Sequence, residues 1–212
     1  AGEYGLLREL RIFDKALSAG DIKKLTAGKS VANRNLQVAI NVGNAKDGEA
    51  IGRIENTGKL KGHFGMQADV DRSAEVKTLG ARKAVVFNGK AMLQSDSTLP
   101  AGLIDDHPFT IEMWAYCEEE GDARLFAMNK EVARRHVSLG FGGRQTKALV
   151  KPSRAGVAWN TNNDVTGKWT HLAWVYDGGS RTEVRVYRDG KLDGQRDFAT
   201  MDTIGGYPMY IG

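Results

Sequence analysis

Apolar and polar residues alternate along many short segments of the chain, and glycine-containing turns separate these segments. The clearest segments are rich in β-branched and aromatic residues at a spacing of two, which is typical of β-strands. They are residues 36–42, 83–88, 109–117, 136–141, 156–159, 169–176, 183–187 and 208–211. The pattern predicts an all-β protein, either a sandwich or a barrel.

Two of these segments indicate how the strands are covered. Segment 109–117 places one set of side chains on each face: Phe109, Ile111, Met113 and Ala115 on one, and Thr110, Glu112, Trp114 and Tyr116 on the other. Segment 169–176 has large residues on both faces, so we expect a central strand that is buried on both sides. On this basis we expect Trp114, Trp169 and Trp174 in the core.

Local signals also predict one hairpin and one helix. Asp189-Gly190 favours a tight type I′ turn between two strands, because both positions need positive φ. Ser18 and Asp21 resemble a capping box, which predicts a helix of about two turns that ends near Gly28. Residues 43–82 are rich in glycine and charge, and we expect an irregular excursion with one strand near 50–54.

Composition excludes several classes of protein. The chain has 212 residues, 41% hydrophobic and 26% charged, and no apolar run approaches the ~18 residues of a membrane span. We therefore expect no membrane insertion. The net charge of +4 comes from scattered basic residues, which disfavours nucleic acid as a partner. The single cysteine, Cys117, allows no intrachain disulfide and suits a small buried side chain better than a nucleophile.

Four motifs resemble the laminin-G-like, concanavalin A-like lectin family. They are Lys-Ala-Val-Val-Phe-Asn-Gly at 83–89, Phe-Thr-Ile-Glu-Met-Trp at 109–114, Gly-Lys-Trp-Thr-His-Leu-Ala-Trp-Val-Tyr-Asp at 167–177 and Val-Tyr-Arg-Asp-Gly-Lys at 186–191. The resemblance implies an antiparallel two-sheet jelly-roll sandwich with one short helix. It also implies a non-catalytic extracellular or cell-surface module whose partner is a glycan or a surface protein.

The N-terminus is unusual for this family. Residues 4–18, with Asp21 and Ile22, are similar to the family's last strand and closing helical turn, which there follows a strand like 209–212. We therefore divide the chain into a closing segment, 1–30, and a sandwich lacking its last strand, 31–212. Segment 1–30 belongs to a preceding tandem copy, closes its own sandwich by circular permutation, or completes a neighbouring copy.

An unpaired last strand would leave an aggregation-prone sheet edge. We therefore predict that residues 4–13 pair with 208–211 of the same copy or another copy. Pairing between copies would be strand exchange and would join copies into rings or filaments. The apolar residues expected at this contact are Leu6, Leu10, Ile12, Phe13, Met209 and Ile211.

The acidic residues do not predict catalysis. Related glycoside hydrolases carry carboxylates at alternate positions of one strand, which places them on one face of a cleft. Here residues 118–120 are consecutive glutamates after a strand, so we read them as a solvated loop and expect no catalytic residue. His171 lies within an apolar strand, and we expect it to be packed and hydrogen-bonded rather than to act as a base.

Two kinds of binding site remain open. The first is a sugar-binding site formed by Trp159, Asn160, Asn162 and Asp164. The tryptophan ring can stack on a sugar, while the amides and the carboxylate form hydrogen bonds with its hydroxyl groups. The alternative is that Trp159 is a core residue that precedes a polar turn. The second is a calcium site, because calcium prefers oxygen ligands of the kind that loops supply; no other cofactor is expected. Its candidate ligands are Asp69 with Asp71, Asp105 with Asp106, and the side chains of 160–164, none at a defined spacing.

The function that we expect is a non-catalytic extracellular binding or adhesion module, with a carbohydrate as the first candidate ligand. The alternative is a structural subunit of a surface layer or filament that joins other copies of itself, or neighbouring domains, by strand exchange. An enzyme ranks third.

Overall fold

Two antiparallel β-sheets pack face to face in this protein, and one α-helix lies on the outer face of the larger sheet. The computed structural model describes residues 5–66, 74–87, 91–118, 123–129, 135–142, 145–150, 157–179, 182–198 and 201–212. The architecture confirms the predicted sandwich.

Seventeen strands and one α-helix, α1 (Ala19–Thr26), form within the described ranges. The strands are β1 (Leu6–Phe13), β2 (Leu36–Asn41), β3 (Ala50–Ile51), β4 (Arg53–Glu55), β5 (His63–Met66), β6 (Ala74–Leu79), β7 (Arg82–Val86), β8 (Leu93–Thr98), β9 (Phe109–Tyr116), β10 (Ala123–Met128), β11 (Val137–Gly142), β12 (Gln145–Val150), β13 (Val157–Asp164), β14 (Trp169–Tyr176), β15 (Thr182–Arg188), β16 (Lys191–Phe198) and β17 (Pro208–Ile211).

The larger sheet, sheet A, has the order β16-β15-β14-β9-β1-β7-β6-β3, and β2 also pairs with β1. Sheet B has the order β13-β12-β11-β10-β17-β8-β5-β4. The core lies between the two sheets and takes alternate side chains of each strand, such as Ile111, Met113 and Ala115 of β9. The predicted division of the two faces of β9 is confirmed.

The predicted pairing of residues 4–13 with 208–211 is wrong. Strand β1 lies inside sheet A, between β9 on one side and β2 with β7 on the other, whereas β17 lies inside sheet B between β8 and β10. Each strand therefore already has partners on both sides within this chain. Four of the six residues expected at the contact still belong to the core cluster between the two sheets: Leu10, Ile12, Met209 and Ile211.

The remaining two of those six residues, Leu6 and Phe13, point to the other face of sheet A. Both are fully buried there, Leu6 beside Ala84 and Val86, and Phe13 beneath helix α1. The N-terminal strand thus contributes apolar side chains to both faces of the sheet, and its charged residues, Arg8, Glu9 and Arg11, are only partly buried.

Helix α1 forms as the capping signal predicts. The hydroxyl of Ser18 accepts a hydrogen bond from the backbone N–H of Asp21 at 3.1 Å, and the chain leaves the helix through Gly28 at a φ of +70°. Ile22 and Leu25 pack against the outer face of sheet A, so the helix covers one half of that face.

The predicted turn at Asp189-Gly190 is confirmed, with φ values of +50° and +77° between β15 and β16. Two other expectations are wrong. The described part of residues 43–82 contains four short strands, β3 to β6, where one strand was expected. Each of these strands has too few buried residues to give a clear alternating signal in the sequence. Trp174 is buried in the core, but Trp114 and Trp169 are half-buried on the outer face of sheet A.

Candidate functional site

A groove of about 860 Å³ lies on the outer face of sheet A, beside the half that helix α1 covers. This volume lies within the range of small-ligand sites in proteins. One wall is the end of α1 and the loop at 27–33, and the other surfaces come from β1, β7 and β9. The polar and aromatic side chains that the three strands contribute are Arg8, Glu9, Arg11, Phe13, Arg82 and Trp114.

Strand register brings the outward side chains of three strands together. Arg11 of β1 lies opposite Glu112 of β9, and Glu9 lies opposite Trp114. On the other side of β9, Trp114 lies opposite His171 of β14. Because side chains alternate between faces, these five residues share one surface of the sheet.

Ion pairs link the charged residues of β1 to β9. Arg11 donates to both Glu112, at 2.7 Å, and Glu9, at 3.0 Å. The second oxygen of Glu9 accepts from Arg8 at 3.2 Å. The Arg8 and Arg11 side chains are 24% and 29% exposed, whereas that of Glu112 is fully buried. The network therefore fixes two guanidinium groups at the edge of the groove above a buried carboxylate.

The same network continues to helix α1. The second carboxylate oxygen of Glu112 lies 2.7 Å from Nε2 of the fully buried His171, and Nδ1 of His171 lies 2.9 Å from the Thr26 hydroxyl. The Thr26 hydroxyl also donates a hydrogen bond to the Ile22 carbonyl. His171 is packed and hydrogen-bonded, as expected from the sequence, and it ties the last turn of α1 to the sheet.

Aromatic rings form the other side of the groove. The guanidinium carbon of Arg82 lies 4.0 Å from the ring centre of Trp114 and 5.8 Å from that of Trp169. The Trp114 ring also contacts His171 edge-on, with centres 5.3 Å apart. Trp169 is anchored by a 3.2 Å hydrogen bond from its indole N–H to the Leu79 carbonyl. The Arg82 side chain therefore has a defined place above two rings.

A family model described as the concanavalin A-like lectin/glucanases superfamily matches residues 89–212, which is more than half of the chain. The chain belongs to this superfamily. The matching model is a laminin G model, and laminin G-like domains are generally non-catalytic binding modules that are typically extracellular. Comparisons with curated proteins and with solved structures gave no match.

In this laminin G-like sandwich, the structure describes the carbohydrate site expected from the sequence by its backbone and by the side chain of Asp164. The backbone of Trp159, Asn160 and Asn162 belongs to β13, at the edge of sheet B, but the positions of their side chains lie outside the description. Asp164 is exposed and accepts a 2.8 Å hydrogen bond from the N–H of Thr166. This site therefore stays a prediction, separate from the groove on sheet A.

The structure describes only some of the candidate calcium ligands. Asp69 and Asp71 lie outside the described residues. Both carboxylate oxygens of Asp106 already accept hydrogen bonds, one from the Tyr176 hydroxyl and one from the Gly179 N–H. In the part of the chain that the structure describes, no three His, Cys, Asp or Glu side chains come together as a metal site. Calcium binding stays a prediction without a ligand set.

Two further observations limit the chemistry of the laminin G-like domain. Burial raises the pKa of the Cys117 thiol, which suits a packing role rather than a nucleophile. None of the helices in the described ranges has the length and apolar character needed to span a membrane.

Sequence reasoning missed the groove. It placed Trp114 in the core and had no basis for joining Arg11 to Glu112, which are 101 positions apart in the chain. One signal was present: the second face of segment 109–117 carries Glu112, Trp114 and Tyr116, a mixture that suits a surface touching water better than a core.

Proposed function

We propose that this chain is a non-catalytic extracellular binding module and that it takes a carbohydrate in the groove on the outer face of sheet A. The observation that carries the proposal is the pairing of the half-buried Trp114 with two fixed guanidinium groups, Arg8 and Arg11, in one groove. The Trp114 indole holds the Arg82 guanidinium over the groove, and guanidinium N–H groups donate hydrogen bonds to the hydroxyl oxygens of a sugar.

The carboxylates of the groove are arranged for structure rather than catalysis. A retaining glycosidase needs two carboxyl groups about 5–5.5 Å apart that both reach the glycosidic bond. Glu112 is fully buried, and its two oxygens are occupied by Arg11 and His171. Glu9 has both oxygens occupied by arginines. Neither carboxylate is placed to act as an acid or a nucleophile, which supports binding without turnover.

Strands β1 and β17 lie in different sheets, and each has partners on both sides within the chain, so nothing supports a subunit joined by exchange of these strands. We therefore propose the binding function and not the structural one.

The test is calorimetric titration of the purified protein with a panel of neutral and acidic oligosaccharides. We expect at least one oligosaccharide to bind and the Trp114→Leu variant, which loses the ring that holds Arg82, to lose about 30-fold in affinity, or about 2 kcal/mol. A thermal melt of each variant shows whether it remains folded. Absence of binding across the panel would refute a carbohydrate function.

The matched control is Trp159→Leu, which makes the same substitution at the site expected from the sequence. If the groove is the binding site, this variant binds like the wild type. If Trp159→Leu loses affinity and Trp114→Leu does not, the carbohydrate binds at β13 and the groove is not the site.

A further inference from the structure

The groove is lined by more positive charge than its own carboxylate can balance. Four cationic side chains, Arg8, Arg11, Lys29 and Arg82, face one lining carboxylate, Glu9. The Glu9 oxygens are already taken by Arg8 and Arg11. A cleft lined by one sign of charge concentrates ligands of the opposite sign. The buried Glu112 is a second partner of Arg11, so Glu9 and Glu112 together balance Arg8 and Arg11, and the surplus charge comes from Lys29 and Arg82.

Arg82 is the better placed of these two cations. Its guanidinium carbon lies over the Trp114 ring, 4.0 Å from the ring centre, and no carboxylate among the described residues lies within 4 Å of the guanidinium group. Stacking uses the face of a guanidinium and leaves the N–H groups at its edge available as a fork of donors. Such a fork fits the two oxygens of a carboxylate or sulfate.

We infer that the ligand of the groove is an acidic oligosaccharide and that Arg82 binds its carboxylate or sulfate group. Lys29, exposed on the opposite wall, supplies a second positive charge. The inference rests on the proposed carbohydrate function and adds the class of sugar. A neutral sugar would leave the cations of the groove unbalanced, whereas an acidic one neutralises them as it binds.

The experiment compares three oligosaccharides of equal length by calorimetric titration at low salt: one neutral, one carrying only carboxylates and one carrying sulfates. We expect the acidic ligands to bind at least 10-fold more tightly than the neutral one, with the difference shrinking as salt is added. If both acidic ligands bind, the groove recognises the negative charge that carboxylate and sulfate share. If only one of them binds, that ligand identifies the anionic group that the groove recognises.

Arg82→Gln tests the assigned residue. It removes the charge and keeps a polar side chain, and we expect it to weaken acidic ligands by about 10- to 100-fold, as for a charged hydrogen-bonded pair. Arg124→Gln is the matched control, since Arg124 is exposed on β10 of the opposite sheet. If Arg82→Gln unfolds, Lys29→Gln is a second test, because Lys29 lies at an exposed position on the other wall. We expect this variant to lose less affinity for the acidic ligands than Arg82→Gln.

The results separate the inference from the proposed function. If neutral and acidic ligands bind equally and Trp114→Leu weakens both, the carbohydrate function holds and the inference is wrong. Equal losses in Arg82→Gln and Arg124→Gln would show unspecific attraction to a basic protein and would also overturn the inference. If none of the three ligands binds, both the inference and the carbohydrate function fail.

Discussion

Arg11→Met should destabilise the protein far more than the same change at Arg8, although both residues lie on β1 and form ion pairs. Arg11 is one of the two partners of Glu112, whose side chain is fully buried. Among the described residues, Arg8 forms an ion pair with Glu9 alone, and Glu9 keeps its second partner, Arg11, when Arg8 is lost. Methionine keeps the unbranched stem of arginine, so the comparison isolates the charge.

The expected magnitude follows from burial. Removing one partner of a buried charge costs about 3–5 kcal/mol. The Arg11 side chain is 29% exposed and His171 remains beside Glu112, so we expect a loss of about 2–3 kcal/mol in the free energy of unfolding. Arg8→Met breaks the partly exposed ion pair with Glu9, so we expect the free energy of unfolding to fall by about 1 kcal/mol or less.

Urea unfolding followed by tryptophan fluorescence gives these free energies by linear extrapolation. A double-mutant cycle with Glu112→Gln adds a second check, because that variant removes the charge that Arg11 neutralises. In the Glu112→Gln background, Arg11→Met should cost about 1 kcal/mol or less. Equal losses for Arg8→Met and Arg11→Met, or an unchanged loss for Arg11→Met in the Glu112→Gln background, would refute the reasoning.

Three other predictions test local structure. Ser18→Ala should lower the free energy of unfolding by about 1 kcal/mol, since the cap of α1 is lost; no change in the urea midpoint would contradict this. Gly58→Ala should cost about 1–3 kcal/mol, because its Cβ would lie 2.7 Å from the carbonyl carbon of Gln37, while Gly20→Ala on exposed helix surface should cost nothing. Cys117 should react slowly with a thiol reagent at pH 8 and quickly in urea, since burial raises its pKa in the folded state; equal rates would show that the thiol is accessible.

Much of the fold could be predicted because its signals are local. Alternation with a period of two divides the faces of β9, and Ser18 caps α1 through an N–H only three residues away. The turn at Asp189-Gly190 needs positive φ at two adjacent residues, a demand that few residue pairs meet. Such features depend on neighbours in the chain, so the sequence by itself determined them.

The position of β1 and the groove were decided only by the tertiary structure. A strong apolar strand such as Leu6–Phe13 could be paired with any exposed sheet edge, and the sequence carries no signal for its partner. Folding places it between β9 and β2, and this register sets Arg11 opposite Glu112 and brings Arg82 over Trp114. Charge balance and binding chemistry depend on distances of a few ångströms between residues far apart in the chain, and only the packed sheet fixes those distances.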